Sequence, residues 1–210
     1  MTFCAGPSPY AYAFRTLFTT VLLIYLRPWR WYSRLKINHI LPATTVGLAV
    51  FALWVVGESE MASRLPYIKE MYLRWGITPF GELPDETIVN SVYAPEACGW
   101  TFTIIRIFGS FAVVALAEEL FWRGCLYRIL IDREFLKVEL NRFKPLAFAV
   151  VCIAFGFEHQ RWLVGIITGA AYGLLMIKTR SLWAPTLAHA VTNLVLALYV
   201  VWGEHYHFWS

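Results

Sequence analysis

The chain has 210 residues, of which 59% are hydrophobic and only 15% are charged, and its mean hydropathy is +0.54. This composition excludes an ordinary soluble domain and is typical of an integral membrane protein. The formal net charge of +4 arises from basic loops between apolar segments. It therefore indicates no nucleic-acid partner, and the expected surroundings are the lipid bilayer.

Six apolar segments follow one another along the chain. The first, residues 10–26, lacks a basic region before it and a small-residue cleavage site after it, so we predict a retained transmembrane helix and not a signal peptide. The other five are residues 40–57, 100–131, 145–158, 162–178 and 183–202. A membrane span needs about 20 apolar residues, and two of these segments are shorter while one is much longer. We predict an all-α fold, a polytopic transmembrane bundle of about six helices.

Basic residues are concentrated in alternate loops, at residues 27–36, 133–144 and 178–180. The long connection of residues 58–99 carries three Lys or Arg residues and seven Asp or Glu residues. Because cytoplasmic loops collect Lys and Arg, both termini are predicted to lie outside the cytoplasm. The connection is also too short and too rich in proline for a second domain, so residues 1–210 are predicted to form one integral membrane domain.

Several other sequence features indicate structure more than chemistry. Cys4 and Cys98 fall on the predicted outer side and can form a disulfide there, and no CxxC or HExxH motif occurs. Seven of the ten tryptophans, including Trp54, lie near predicted helix ends, which is typical of an aromatic belt and not of a cofactor stack. Gly165 and Gly169 are spaced by four residues, as are Gly169 and Gly173, so another helix is expected to approach this face closely.

Polar residues inside the predicted spans are the strongest functional signal. An ionisable group in hydrocarbon costs roughly 3 kcal/mol or more unless it faces the bundle interior, a partner or water. The candidate site residues are Glu118, Glu119, Arg123, His159, His189 and Asn193. We interpret this set as a buried functional site.

Helical spacing predicts how these side chains meet. Glu119 and Arg123 are four residues apart, in the order that favours an ion pair on one helix face. Glu118 then points about 100° away around the helix and is free for other interactions. His189 and Asn193 are also four apart, so they share one face of the last helix.

Estimates of depth in the membrane place Glu118 and His159 at the same level. Glu118 lies 14 residues before Asp132, and His159 lies 14 residues after Pro145. At about 1.5 Å per residue both are roughly 21 Å from the loop that joins their helices. The helix that begins at Pro145 is too short to cross about 30 Å of bilayer, so the turn at His159 is predicted to lie in a cavity.

Three short motifs carry a family resemblance. EELFWR at residues 118–123, FGFEH at 155–159 and HAVTN at 189–193 match the patterns EExxxR, FxxxH and HxxxN. In this order they resemble the motifs of the CAAX prenyl protease and bacteriocin-processing (CPBP or Abi) family of intramembrane glutamic proteases. Residues 100–202 would then form the core of the chain. Its small size also resembles the CAAX-protease-related proteins of bacterial exosortase (PEP-CTERM) sorting systems.

The resemblance implies hydrolysis of a peptide bond in the membrane without a metal or other cofactor. Glu118 and His159 would activate a water, Glu119 and Arg123 would support that site, and His189 with Asn193 would stabilise the oxyanion. The residue types suit these roles, since a carboxylate in an apolar cavity is a stronger base and pre-aimed donors favour a tetrahedral intermediate. The implied partners are a membrane-anchored peptide or protein substrate and components of a protein-sorting system. The implied location is a bacterial inner membrane.

Other interpretations of these residues remain open at this point. The glutamates and Arg123 can form a purely structural ion pair, while the histidines bind backbone carbonyls. Glu118, Glu119, His159 and His189 can instead be metal ligands, since carboxylate and imidazole suit first-row metals. A third class is a non-catalytic membrane protein, such as an immunity factor, a chaperone or a transporter-like scaffold.

Two further charged positions lie close to this predicted site. Glu158 and Arg161 flank the turn at His159 and are expected to pair with each other. Arg106 lies inside the third apolar segment, where its side chain either snorkels outward or lines the entrance of the cavity.

Overall fold

The computed structural model describes residues 8–59, 61–77 and 91–209. Cys4 lies outside these residues, and with it the predicted pairing with Cys98. Within the described part the fold has no strand, which confirms the all-α prediction. The helices are α1 Pro9–Leu26, α2 Ile40–Val56, α3 Pro66–Tyr72, α4 Pro95–Ile129, α5 Pro145–Glu158, α6 Trp162–Thr179 and α7 Trp183–Gly203.

Four of the helices in these described ranges are long and apolar enough to cross a membrane: α2 with its preceding turn, α4, α6 and α7. Helix α5 has 14 residues and is too short, as its sequence predicted. Helix α1 has 18 residues but does not belong to this group of four. That α1 crosses the membrane therefore stays a prediction.

Prolines determine where four of the helices begin. They occupy the first helical position, at Pro9 in α1, Pro66 in α3, Pro95 in α4 and Pro145 in α5. A proline there costs no helical hydrogen bond, because the first N–H groups of a helix have no partner within it. Two of the prolines of the long connection thus start helices.

Helix α4 has 35 residues and is not regular along its length. Gly99 adopts φ 77° and ψ 155°, so the helix bends near its start at a residue that has no Cβ to oppose a positive φ. Further on, two π-helical stretches, Gly109–Val114 and Leu120–Leu126, flank the α-helical segment Ala115–Glu119. The two adjacent glutamates lie at the end of that segment, and π-helical turns inside helices are frequent at functional sites.

Glycines allow the closest helix contacts. A Cβ on Gly165 would lie 2.8 Å from the Cα of Gly156, and one on Gly169 would lie 3.2 Å from the Cα of Cys152. Helices α5 and α6 therefore pack almost backbone to backbone, as the glycine spacing predicted. Helix α7 packs in the same way on α2, where a Cβ on Gly47 would lie 2.5 Å from the carbonyl oxygen of Ala188.

The position of α7 brings the predicted site together. This helix packs against α2, against α6 and against the middle of α4. Its buried face carries His189 at 4% exposure and Thr192 at 3% exposure. The middle of α4 carries Glu118 and Glu119, so the histidine of α7 and the glutamates of α4 face each other across the bundle.

Candidate active site

A cavity of about 390 Å³ lies between these helices. Four of the six predicted site residues line it: Glu118, His159, His189 and Asn193. The remaining two, Glu119 and Arg123, lie behind its wall and are almost fully buried, with exposures of 0% and 1%. A cavity of this size accommodates a short peptide segment.

Glu119 and Arg123 form the ion pair that their spacing predicted. Arg123 Nη1 donates to Glu119 Oε1 at 2.9 Å, and Nη2 donates to the backbone carbonyl of Gly169 at 3.2 Å. The guanidinium also lies 4.3 Å from the centre of the Phe155 ring. Because removal of one partner of a buried pair strands the other charge, this contact constrains the position of Glu119.

His189 is oriented by Glu119. Its Nδ1 donates to Glu119 Oε1 at 3.0 Å, because a carboxylate oxygen only accepts. The ring stacks on Tyr172 with centres 5.2 Å apart, and the Tyr172 hydroxyl donates to Thr192 Oγ1 at 2.7 Å. The second ring nitrogen, Nε2, is left 3.9 Å from Glu118 Oε2.

His159 follows the last residue of α5 and faces the cavity, as predicted. Its Nδ1 donates to the backbone carbonyl of Phe155 at 2.7 Å. A carbonyl cannot donate, so in the neutral ring Nδ1 carries the proton and Nε2 keeps a lone pair. The Phe155 and Trp54 rings pack against the imidazole, with centres 4.6 Å and 5.5 Å away. These contacts fix the ring plane at the cavity wall.

Glu118 lines the cavity, near His189 of α7. Oε2 is buried, yet it has no hydrogen-bond partner among residues 8–59, 61–77 and 91–209. Buried polar atoms are nearly always hydrogen-bonded, so an oxygen of this kind indicates a position where a water or a ligand binds. Of the two adjacent glutamates, Glu118 is thus the one that lines the cavity, and Glu119 is fully buried.

The side chain of Asn193 already forms a hydrogen bond within the protein, which the spacing of its motif did not predict. It lines the cavity beside His189, but its Nδ2 donates to the backbone carbonyl of Ser110 at 2.9 Å. One of its two N–H groups is therefore used by the π-helical stretch of α4, and the second remains for another acceptor. The spacing of the HAVTN motif could not reveal this contact, since Ser110 is 83 residues away in sequence.

The predicted pair of Glu158 with Arg161 is wrong. Glu158 accepts a hydrogen bond from the Trp122 indole at 3.0 Å, and Arg161 pairs with Glu58 through two hydrogen bonds. The physical reason is burial: Arg161 is 5% exposed and needs a carboxylate in the interior, whereas Glu158 is exposed.

Sequence reasoning also missed part of the cavity wall. Trp54 was assigned to an aromatic belt, but its indole lines the cavity and donates to Thr168 Oγ1 at 3.1 Å. Tyr12 of α1 and the C-terminal Phe208 and Trp209 line it as well. No short motif marks these residues, because helix packing alone brings them to the site.

The metal-ligand interpretation has little geometric support. In the part of the chain that the structure describes, no group of three or more His, Cys, Asp or Glu side chains is placed to hold a metal ion. The four residues of that interpretation are instead divided between the cavity wall and the buried pair behind it.

Comparison with known proteins supports the family resemblance of the three motifs. Residues 100–195 match the family model of the type II CAAX prenyl endopeptidase Rce1-like proteins, and all six predicted site residues lie in this range. None of the curated proteins and none of the solved structures matches the chain. The match indicates an intramembrane protease of the CAAX type. Residues 100–195 of this helical membrane protein are thus similar to the CAAX prenyl protease family.

Proposed function

We propose that the chain is an intramembrane glutamic endopeptidase, in which a water activated by Glu118 and His159 hydrolyses a peptide bond. The observation that carries the proposal is Glu118, which lines the same cavity as His159 and whose buried Oε2 has no hydrogen-bond partner among the described residues. Together they provide a carboxylate acceptor and an imidazole lone pair that no described residue uses. A nucleophilic water needs acceptors of this kind.

In the first step the water oxygen attacks the carbonyl carbon of the scissile bond while Glu118 takes one of its protons. His159 Nε2 accepts a hydrogen bond from the remaining O–H, since Nδ1 is held by Phe155. The carbonyl π electrons move to its oxygen, which becomes the oxyanion of a tetrahedral intermediate. In an apolar cavity this proton transfer is favoured, because the carboxylate is poorly solvated there.

The oxyanion needs donors that already point at it. The second N–H of Asn193 is one, because only one is donated to Ser110. His189 can supply the other from Nε2 in the form in which both ring nitrogens carry a proton, while Nδ1–H stays bonded to Glu119. This assignment gives a role to the buried pair of Glu119 and Arg123, because Glu119 orients His189 through its Nδ1.

Collapse of the intermediate completes the reaction. The carbonyl forms again, the C–N bond breaks, and the proton held by Glu118 passes to the leaving nitrogen, either directly or through His159. The products are a carboxylic acid and a free amine. Glu118 returns to the carboxylate form, which closes the cycle. The proposed steps use no metal or other cofactor.

The setting of the reaction follows from the resemblance and from the membrane fold. The proposed substrate is a membrane-anchored peptide or protein in a bacterial inner membrane, handled together with components of a protein-sorting system. A membrane-anchored substrate suits a cavity enclosed by apolar helices, because such a chain is already held at the bilayer.

The direct test compares protein termini in membranes from cells that carry the native chain, Glu118→Gln or Glu158→Gln at equal abundance. Glu158 is a matched control, since this residue also lines the cavity but its carboxylate accepts a hydrogen bond from Trp122. We expect new termini in the native and Glu158→Gln cells and none in the Glu118→Gln cells.

The alternatives give different results. Identical termini in all three strains, together with a deletion phenotype that Glu118→Gln rescues, would show a non-catalytic scaffold. Cleavage that chelators abolish and added metal restores would show a metalloenzyme.

A further inference from the structure

Thr168 is a buried polar residue of α6 that the proposed mechanism does not use. The residue is only 3% exposed, yet it lines the same cavity as Glu118 and His159. The Trp54 indole donates to its Oγ1 at 3.1 Å. Because an indole nitrogen is only a donor, Thr168 Oγ1 is the acceptor in this contact. The hydrogen of the Thr168 hydroxyl is therefore available for a second hydrogen bond.

That hydroxyl hydrogen has no acceptor within residues 8–59, 61–77 and 91–209, which distinguishes Thr168 from other threonines of the bundle. Thr179, on the same helix, donates to the carbonyl of Leu175 at 2.7 Å. Thr192 of α7 donates to the carbonyl of Gly47 at 2.8 Å. Since buried polar groups are nearly always hydrogen-bonded, a donor left over at a cavity wall indicates that a bound molecule supplies the acceptor.

Thr168 is linked to both histidines of the site through one residue each. Trp54, which donates to it, packs on the His159 imidazole with ring centres 5.5 Å apart. Tyr172 lies four residues further along α6, on the same helix face, and stacks on His189 with ring centres 5.2 Å apart. The free hydroxyl hydrogen thus belongs to the part of the wall near the proposed reacting groups.

The chemistry of the proposed reaction decides which acceptor suits this donor. The attacking water needs acceptors for its hydrogens, and Glu118 and His159 provide them. The carbonyl oxygen gains negative charge and needs donors, but His189 donates to it only when both of its ring nitrogens carry a proton. A hydroxyl donates without any change of protonation. It is also a stronger donor when it accepts a hydrogen bond itself, because linked hydrogen bonds polarise one another.

We propose that the Thr168 hydroxyl donates a hydrogen bond to the carbonyl oxygen of the scissile peptide bond, and that Trp54 holds the hydroxyl in position for it. This inference rests on the proposed function, since it adds a donor to the oxyanion of that reaction. No covalent bond forms or breaks at Thr168. It is a catalytic residue because it touches a reacting atom, whereas Trp54 is a positioning residue that acts through it.

The test uses the full-length purified protein and a synthetic peptide that spans the cleavage site found from the membrane termini. A second peptide carries a thiocarbonyl at the scissile bond, because sulfur is a weaker hydrogen-bond acceptor than oxygen. The values of kcat and KM are measured for the native chain, Thr168→Val, Thr168→Ser and Trp54→Phe. Thr179→Val is a matched control, since it removes a hydroxyl of the same helix that donates to the helix backbone.

We expect Thr168→Val to lower kcat on the oxygen peptide by about 10²-fold while KM stays within about twofold, as for a donor used in the transition state. On the thio peptide the loss should be at least about tenfold smaller, since the native chain has a weaker hydrogen bond to lose there. Thr168→Ser should keep most of the native rate, Trp54→Phe should show a smaller decrease with the same dependence on the peptide, and Thr179→Val should behave as the native chain does.

Two results would overturn this inference and leave the proposed function intact. One is a native kcat in Thr168→Val, and the other is an equal loss on both peptides, which would assign the hydroxyl to the water or to packing. Should Thr168→Val fail to fold, Trp54→Phe on the two peptides gives the same decision. Identical membrane termini with the native chain and with Glu118→Gln would instead reject the proposed function, and this inference with it.

Discussion

His189 and Glu119 lie 70 residues apart in sequence and share a hydrogen bond of 3.0 Å across the bundle. Glu119 thus has two buried partners on the same oxygen, His189 and Arg123. This contact divides the two adjacent glutamates into distinct roles: Glu119 organises the polar interior, and Glu118 faces the cavity. The predictions below depend on that division.

Glu118→Gln should abolish proteolysis while the fold is kept. Loss of a general base lowers rates by about 10²–10⁴-fold, and the amide has nearly the same shape as the carboxylate. The measurements are cleavage rate and thermal unfolding of the purified protein. Full activity in this variant, at normal expression, would remove Glu118 from the mechanism.

Glu119→Gln should lower both activity and stability, because it weakens the interaction with Arg123 and with His189. Breaking a buried ion pair by removal of one partner costs about 3–5 kcal/mol. The double variant Glu119→Gln with Arg123→Met should be more stable than Glu119→Gln alone, since no charge is then stranded. Denaturant unfolding of the three proteins measures this, and additive effects would contradict a direct pair.

His159→Ala should remove activity with a smaller effect on stability than Glu119→Gln. The imidazole lines the cavity and has one hydrogen bond, to the Phe155 carbonyl, so it is not part of the buried ion pair. Cleavage rate and membrane insertion are compared in parallel. An inserted His159→Ala protein that cleaves at the native rate would show that Glu118 acts without it.

Glu58→Gln should destabilise the protein more than Glu158→Gln does. Glu58 binds the buried guanidinium of Arg161, whereas Glu158 is exposed and accepts one hydrogen bond from Trp122. We expect about 3 kcal/mol for the first variant and about 1 kcal/mol for the second. The reverse order in thermal unfolding would restore the pairing of Glu158 with Arg161.

Gly165→Ala should be more harmful than Gly169→Ala. The new methyl group would lie 2.8 Å from backbone at Gly156 in the first case and 3.2 Å from backbone at Cys152 in the second. Overpacking of this kind costs roughly 1–3 kcal/mol, and a contact with backbone cannot be relieved by a rotamer change. Equal unfolding midpoints for the two variants would show that α5 and α6 pack less closely than described.

The helical positions and the buried ion pair could be predicted because they depend on local periodicity. Apolar segment length gave the helices, and the spacing of four residues gave the contact of Glu119 with Arg123. The cavity position of His159 followed from the short length of α5. Each of these inferences uses only residues close in sequence or the thickness of the bilayer.

The contacts that sequence could not provide are those between distant helices. The bond of Asn193 to Ser110, the pairing of Arg161 with Glu58, and the cavity position of Trp54 all join residues 83 or more positions apart. Local spacing carries no information on such partners. The π-helical stretches of α4 also gave no recognised signal, although they shift the direction of every side chain that follows.

The most direct measurement is cleavage of the substrate identified from the membrane termini, with the purified native chain and Glu118→Gln, each with and without the chelator 1,10-phenanthroline. The account predicts one cleavage product from the native chain, at the same rate with the chelator, and no product from Glu118→Gln. Cleavage by Glu118→Gln, or a native activity that the chelator abolishes and added metal restores, would contradict it.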